Sequence, residues 1–180
     1  MPMIPRDRAS NVLALDLATC TGFAIGALGE RPRHGAIMLR GQEPVHRQAA
    51  LREWLDDQDK LKPIQAVVVE AALIGQFSSN AAEYLTIALH ATLALWCYDL
   101  EIPLHPIAAS TVRSGMLGTS RFRKGTAKDH VVFWCKANGY AVATHDAADA
   151  ILTWSYVEAQ TLGYQRAARG LFALDTKGAA

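Results

Sequence analysis

Asn11-Val12-Leu13-Ala14-Leu15-Asp16-Leu17 is a short apolar run with a carboxylate near its end, and small, turn-prone residues follow at Ala18-Thr19-Cys20-Thr21-Gly22. Phe23-Ala24-Ile25-Gly26 then resumes the apolar character. Run, turn and run predict a β-hairpin with Asp16 at its turn end. Gly35 to Leu39 reads as a third strand that completes an antiparallel trio. Pro44 to Asp59 carries apolar residues at Val45, Ala49, Leu51, Trp54 and Leu55 with charges between them, a helical rhythm. Pro63 interrupts the chain. Ile64 to Val69 is too short for a helix and reads as a central strand ending on Glu70.

Asn80 to Tyr98 is a long helix rich in Ala and Leu, with Ser79 or Asn80 as its cap. Its apolar residues run nearly all round, which implies burial on more than one side. Ile102 to Ile107 holds two prolines and reads as an extended segment or edge strand. A short helix from Ala109 or Ser110 to about Met116 precedes a basic, glycine-bounded loop, Gly118 to Thr126. Ala127 to Asn138 is a helix stopped by Gly139. Asp146 to Gly163 is the last helix. Three strands, then helix, strand, helix and strand, then helices, make an α/β protein with a mixed sheet. The long helix between the Glu70 strand and the Pro103 segment fits one βαβ crossover. Residues 11–163 form one domain on this reading, between tails at 1–10 and 164–180.

At 180 residues the chain is long enough to bury a core unaided. With 51% hydrophobic and 19% charged residues it is a folded, soluble protein rather than a disordered one. A net charge of +1 leaves a nucleic-acid role to local basic patches. Cys20, Cys97 and Cys135 are odd in number and widely spaced, which argues against zinc and a disulfide framework and for a reducing cytosol. No apolar run reaches the roughly 18 residues of a membrane span, and Met1 to Ser10 is polar, unlike a signal peptide.

Within His145-Asp146-Ala147-Ala148-Asp149-Ala150 two aspartates stand three residues apart, on one face of the predicted helix. Like charges so close disfavour each other unless a cation lies between them. Asp16 and Glu70 end strands that could converge on the same place. Four carboxylates are a donor set for hard divalent cations, Mg²⁺ or Mn²⁺. Each also has a plainer reading: a hairpin turn for Asp16, a strand terminus for Glu70, a helix cap for Asp146, and the helix dipole for Asp149. His145 could position water or a phosphate, or simply face solvent. Arg113, Arg121, Arg123, Lys124 and Lys128 form a basic set with Phe122 among them. Phosphates favour such charges, and an interleaved aromatic can stack on an unpaired base.

These residues resemble the RuvC family of Holliday-junction resolvases, within the RNase H-like superfamily. Asp16 with Thr21-Gly22-Phe23 is similar to the family's opening Asp motif and Thr-Gly-Tyr/Phe hairpin. Glu70 after Val67-Val68-Val69 is similar to its second acidic motif. Gly125-Thr126-Ala127-Lys128 followed by Val131 resembles its Gly-x-Ala-x-Lys-x-x-Val stretch, and Asp146-Ala147-Ala148-Asp149-Ala150 its closing Asp-x-x-Asp-Ala. The order holds from about Val12 to Ala159. The Gly118 to Lys124 loop is longer and more basic than the usual connection. Leu73 stands where the family carries an aromatic wedge, and Phe77 is the nearest aromatic. Such a divergent copy resembles phage-borne members.

The resemblance implies a five-stranded sheet, antiparallel in its first three strands and flanked by helices. It implies an endonuclease, a homodimer, cytoplasmic in a bacterium or encoded by its phage, that binds four-way DNA junctions in recombination and repair and cuts two strands symmetrically by two-metal-ion hydrolysis. Asp16, Glu70, Asp146 and Asp149 would hold two Mg²⁺ ions, with Mn²⁺ as a substitute. Lys128 would stabilise charge at the scissile phosphate. Arg113, Arg121, Arg123, Lys124 and Lys128 would bind DNA, with Leu73 and Phe77 wedged into the opened junction. Two rival readings stand beside it. Asp16 to Gly22 also resembles the phosphate hairpin of actin-like and sugar-kinase-like ATPases, of which this chain would be a fragment. A junction-binding module without catalysis is the other.

Overall fold

A computed structural model describes residues 10–72, 79–123 and 125–163. Leu73, Phe77 and Lys124 lie outside the described residues, as do the expected tails but for Ser10. Ser10 is buried, and its carbonyl accepts from the Leu28 N–H.

Five strands form one sheet: β1 (Asn11–Asp16), β2 (Cys20–Ala27), β3 (Arg33–Met38), β4 (Ala66–Glu70) and β5 (Leu104–Ile107). Their order is β3-β2-β1-β4-β5. The first three pair antiparallel, and β4 and β5 join parallel to them, so the expected mixed RNase H-like sheet is present. The prolines at 103 and 106 are accommodated because β5 is an edge strand.

The helices are α1 (Pro44–Leu61), α2 (Asn80–Asp99), α3 (Ala109–Leu117), α4 (Ala127–Ala137) and α5 (His145–Leu162). Side chains alternate across a sheet, and this alternation splits the core in two. Leu13, Leu15, Val67 and Val69 face one way, with the buried sides of α1 and α2. Val12, Ala14, Ala66 and Val68 face the other way, with α3, α4 and α5. Continuing the second set by one step along each strand reaches Asp16 and Glu70. Leu15 pairs with Val69 in the parallel register, so these two carboxylates leave neighbouring strands at the same level and on the same face.

The sheet residues beneath α5 are small, and α5 is the most buried helix, with Trp154 donating through Nε1 to the Val12 carbonyl at 3.2 Å. Gly22 permits the approach. A β-carbon there would stand 1.9 Å from the Asp146 carbonyl oxygen, and Gly22 is the β2 partner of Asp16. Asp146 does not cap this helix. Thr144 does, its hydroxyl accepting from the Ala147 N–H at 3.1 Å, which leaves the Asp146 carboxylate free of that duty. Ser79 caps α2 in the same way.

On α1 Leu51 and Leu55 are buried as the rhythm predicts, but Val45 is 62% exposed. It sits in the first turn of the helix. On α2 Leu85, Leu89, Leu93 and Trp96 are buried, whereas Tyr84, Ile87, Leu95 and Tyr98 stand exposed on the opposite side. The three cysteines are free. Among the described residues no helix is long and apolar enough to cross a membrane.

Candidate metal centre and nucleic-acid face

Asp16, Glu70, Asp146 and Asp149 come from three elements, β1, β4 and α5, and each of the other three acts on the charge of Asp16. Burial pushes the Asp16 carboxyl from 3.8 up to about 8, helped by the charges of Glu70, Asp149 and Asp146, with Lys128 pulling the other way. Burial likewise raises Glu70, and Asp149 adds to it; Arg113, Lys128 and His90 oppose. Asp149 is nearly buried and is raised by that burial, against the pull of Arg113 and Lys128. Carboxylates are seldom gathered out of water without a compensating cation. The donors are all hard oxygens, the type that Mg²⁺ and Mn²⁺ take, so the residues present fit such ions. Among the described residues no three Asp, Glu, His or Cys side chains are set closely enough to hold one ion as they stand.

Lys128 is exposed in the first turn of α4, and its charge reaches Asp16, Glu70 and Asp149. Arg113, on α3, is drawn in further than its sequence position alone indicates. Its Nη2 lies 3.4 Å from Asp149 Oδ1. Arg121 and Arg123 are exposed on the loop between α3 and α4. Threonine hydroxyls shape that loop: Thr119 Oγ1 accepts from Arg121 N–H at 3.1 Å, and Thr126 Oγ1 donates to the Arg123 carbonyl at 2.9 Å. Phe122 packs against His130 with ring centroids 5.0 Å apart, so it is engaged within the protein. His145 is exposed at the first position of α5.

Two neighbours of the site escaped the sequence reading. The Cys20 thiol is half-buried, and its pKa is raised by that partial burial and then by the Asp146 carboxylate beside it. The His90 ring spans two carbonyls, with Nε2 3.0 Å from the Glu70 oxygen and Nδ1 2.9 Å from that of Thr86. The helical step from Thr86 to His90 was visible, but the meeting with Glu70 depends on how α2 lies against β4.

The sequence matches no protein-family model and no curated protein. Solved structures do match in shape. The T. thermophilus RuvC in complex with a Holliday junction substrate aligns with a TM-score of 0.65 and 16% identity, over 86% of this chain and 94% of that one. A second Thermus thermophilus RuvC structure aligns at 0.60 and 16%, over 85% and 96%. The yeast mitochondrial Holliday junction resolvase Ydc2 aligns at 0.58 and 15%, over 87% and 82%. At such identities the likeness is one of fold, and it extends over most of each chain.

Proposed function

We propose that this protein is a metal-dependent endonuclease that hydrolyses phosphodiester bonds in branched DNA, with the four-way junction as its substrate class. The observation that carries this reading is the gathering of four carboxylates from three elements, with Asp16 pushed up to about 8. Asp16, Glu70, Asp146 and Asp149 would hold two Mg²⁺ ions, or Mn²⁺ in their place. Bound there, the ions supply an activated water and charge neutralisation at the leaving oxygen.

The chain's own side chains do the rest. Lys128, exposed beside the carboxylates, stabilises charge that develops on the scissile phosphate. Arg113, Arg121, Arg123 and Lys124 meet neighbouring phosphates and fix the strand's position. Leu73 and Phe77 enter the opened junction as apolar wedges. Homodimerisation through α2 brings two such sites to one junction. Supporting it, Tyr84, Ile87, Leu95 and Tyr98 are exposed at 62%, 44%, 61% and 81%. They recur after eleven residues (84 and 95, 87 and 98) along one side of α2, an exposed apolar stripe of the kind that packs against another helix.

The test is cleavage of a labelled synthetic four-way junction with Mg²⁺, run beside linear duplex and beside Asp16→Asn. Paired, symmetric nicks near the branch point that vanish in the variant are expected. Equal cutting of linear duplex would refute junction selectivity. Binding without cutting in either metal would leave a binding module.

A further inference from the structure

Arg113 occupies a place that the proposed chemistry needs. Its guanidinium and the Asp149 carboxylate are 22% and 7% exposed, and their contact is a single one at 3.4 Å. A well-seated arginine takes a carboxylate through two parallel N–H bonds. Here Arg113 Nε is buried and has no hydrogen-bond partner among the described residues. The pair is held by charge more than by fit.

Asp149 is also one of the four carboxylates assigned to the ions. A divalent cation on its oxygens would stand a few ångströms from a full positive charge, and that repulsion is strong in a partly buried setting. The two cations compete for one carboxylate. Four carboxylates balance two divalent ions, which leaves Arg113 and Lys128 as surplus positive charge. A guanidinium released from Asp149 has five donors to satisfy, and the two non-bridging oxygens of a phosphate accept from its planar fork in a bidentate manner.

We propose that Arg113 is the resident counter-ion of Asp149, displaced when a divalent cation binds there, and that its freed guanidinium then grips the phosphate of the bound strand. The inference rests on the reading of this site as a metal centre. Arg113 then contacts the substrate phosphate itself and makes metal binding and DNA binding reinforce each other. By linkage each strengthens the other by the same factor.

The decisive measurement is a calorimetric titration of metal-free protein with Mn²⁺, comparing wild type, R113Q and R113K. Thermal unfolding of each variant is recorded first. R113Q removes the competing charge and binds Mn²⁺ at least about fivefold more tightly, within the usual range of such couplings. R113K keeps the charge and stays within about twofold of wild type. At saturating metal, R113Q nevertheless cuts a four-way junction more slowly, so affinity and cleavage move in opposite directions. A merely structural arginine would weaken both. If R113Q unfolds, Arg113→Met serves as the uncharged variant of similar reach. Unchanged or weaker Mn²⁺ binding in the uncharged variant overturns the inference alone, and so does equal tightening in R113K. No Mn²⁺ uptake by any of the proteins overturns the metal-centre reading together with the inference.

Discussion

Replacing Asp16 with asparagine should make the metal-free protein more stable while abolishing its activity. Folding carries the Asp16 carboxyl from 3.8 to about 8, chiefly through burial and then through Glu70, Asp149 and Asp146. A raised acid favours folding where it is neutral in both states, below its ordinary value. The native state then loses stability as pH climbs from about 4 to about 8, and the loss is complete above that. The slope approaches 1.4 kcal/mol per pH unit, so at pH 7 the protonation that the folded site demands of Asp16 costs about 4 kcal/mol relative to the ionised unfolded chain. Side-chain relaxation and entering water reduce this, and an advantage of about 2–4 kcal/mol is expected for Asp16→Asn at pH 7. In Tm that is roughly 4–16 °C for a chain of this size. The assay is urea denaturation of both proteins in EDTA at several pH values between 5 and 8. The gap should widen with pH, and saturating Mg²⁺ should close it by binding the native wild type. An asparagine variant no more stable than wild type at pH 8, or a gap that is flat with pH, would refute the reasoning.

Two further outcomes follow from packing. Gly22→Ala places a methyl group on the Asp146 backbone, which no rotamer change relieves; it should cost about 3 kcal/mol in urea denaturation and weaken Mn²⁺ binding. A loss below about 0.5 kcal/mol would mean that α5 does not lie as close to β2 as described. Ile87→Glu places a charge amid the exposed apolar side of α2, and sedimentation should find a monomer where wild type is a dimer. A monomeric wild type, or an undisturbed dimer in the variant, would remove α2 as the interface.

Much of this architecture was readable from residue spacing alone. The apolar runs ending in Asp16 and Glu70 announced strands, whereas the sharing of one face by both carboxylates depends on the parallel register that pairs Leu15 with Val69. The Asp146 and Asp149 pair was equally plain from helical spacing. What escaped depends on neighbours distant in sequence. That Thr144 rather than Asp146 caps α5 turns on a single hydroxyl, since several residues there are able to cap a helix. Arg113 stood in a basic set with nothing local to single it out, and only the packing of α3 beside α5 brings it to Asp149. Cys20 and His90 reach the site through the hairpin register and the lie of α2. Val45 fits the helical rhythm yet is exposed, because periodicity tells which side a residue is on and not whether anything covers it.

The sheet is also a partition. Its α3–α5 side carries the carboxylates, and its α1–α2 side carries the bare helix surface. One imidazole, His90, reaches from that surface helix to the backbone of Glu70. On the proposed reading, a change in the face of α2 that meets a second copy leaves the carboxylate side of the sheet in place, and a drift in the tilt of α2 reaches the Glu70 backbone through this ring.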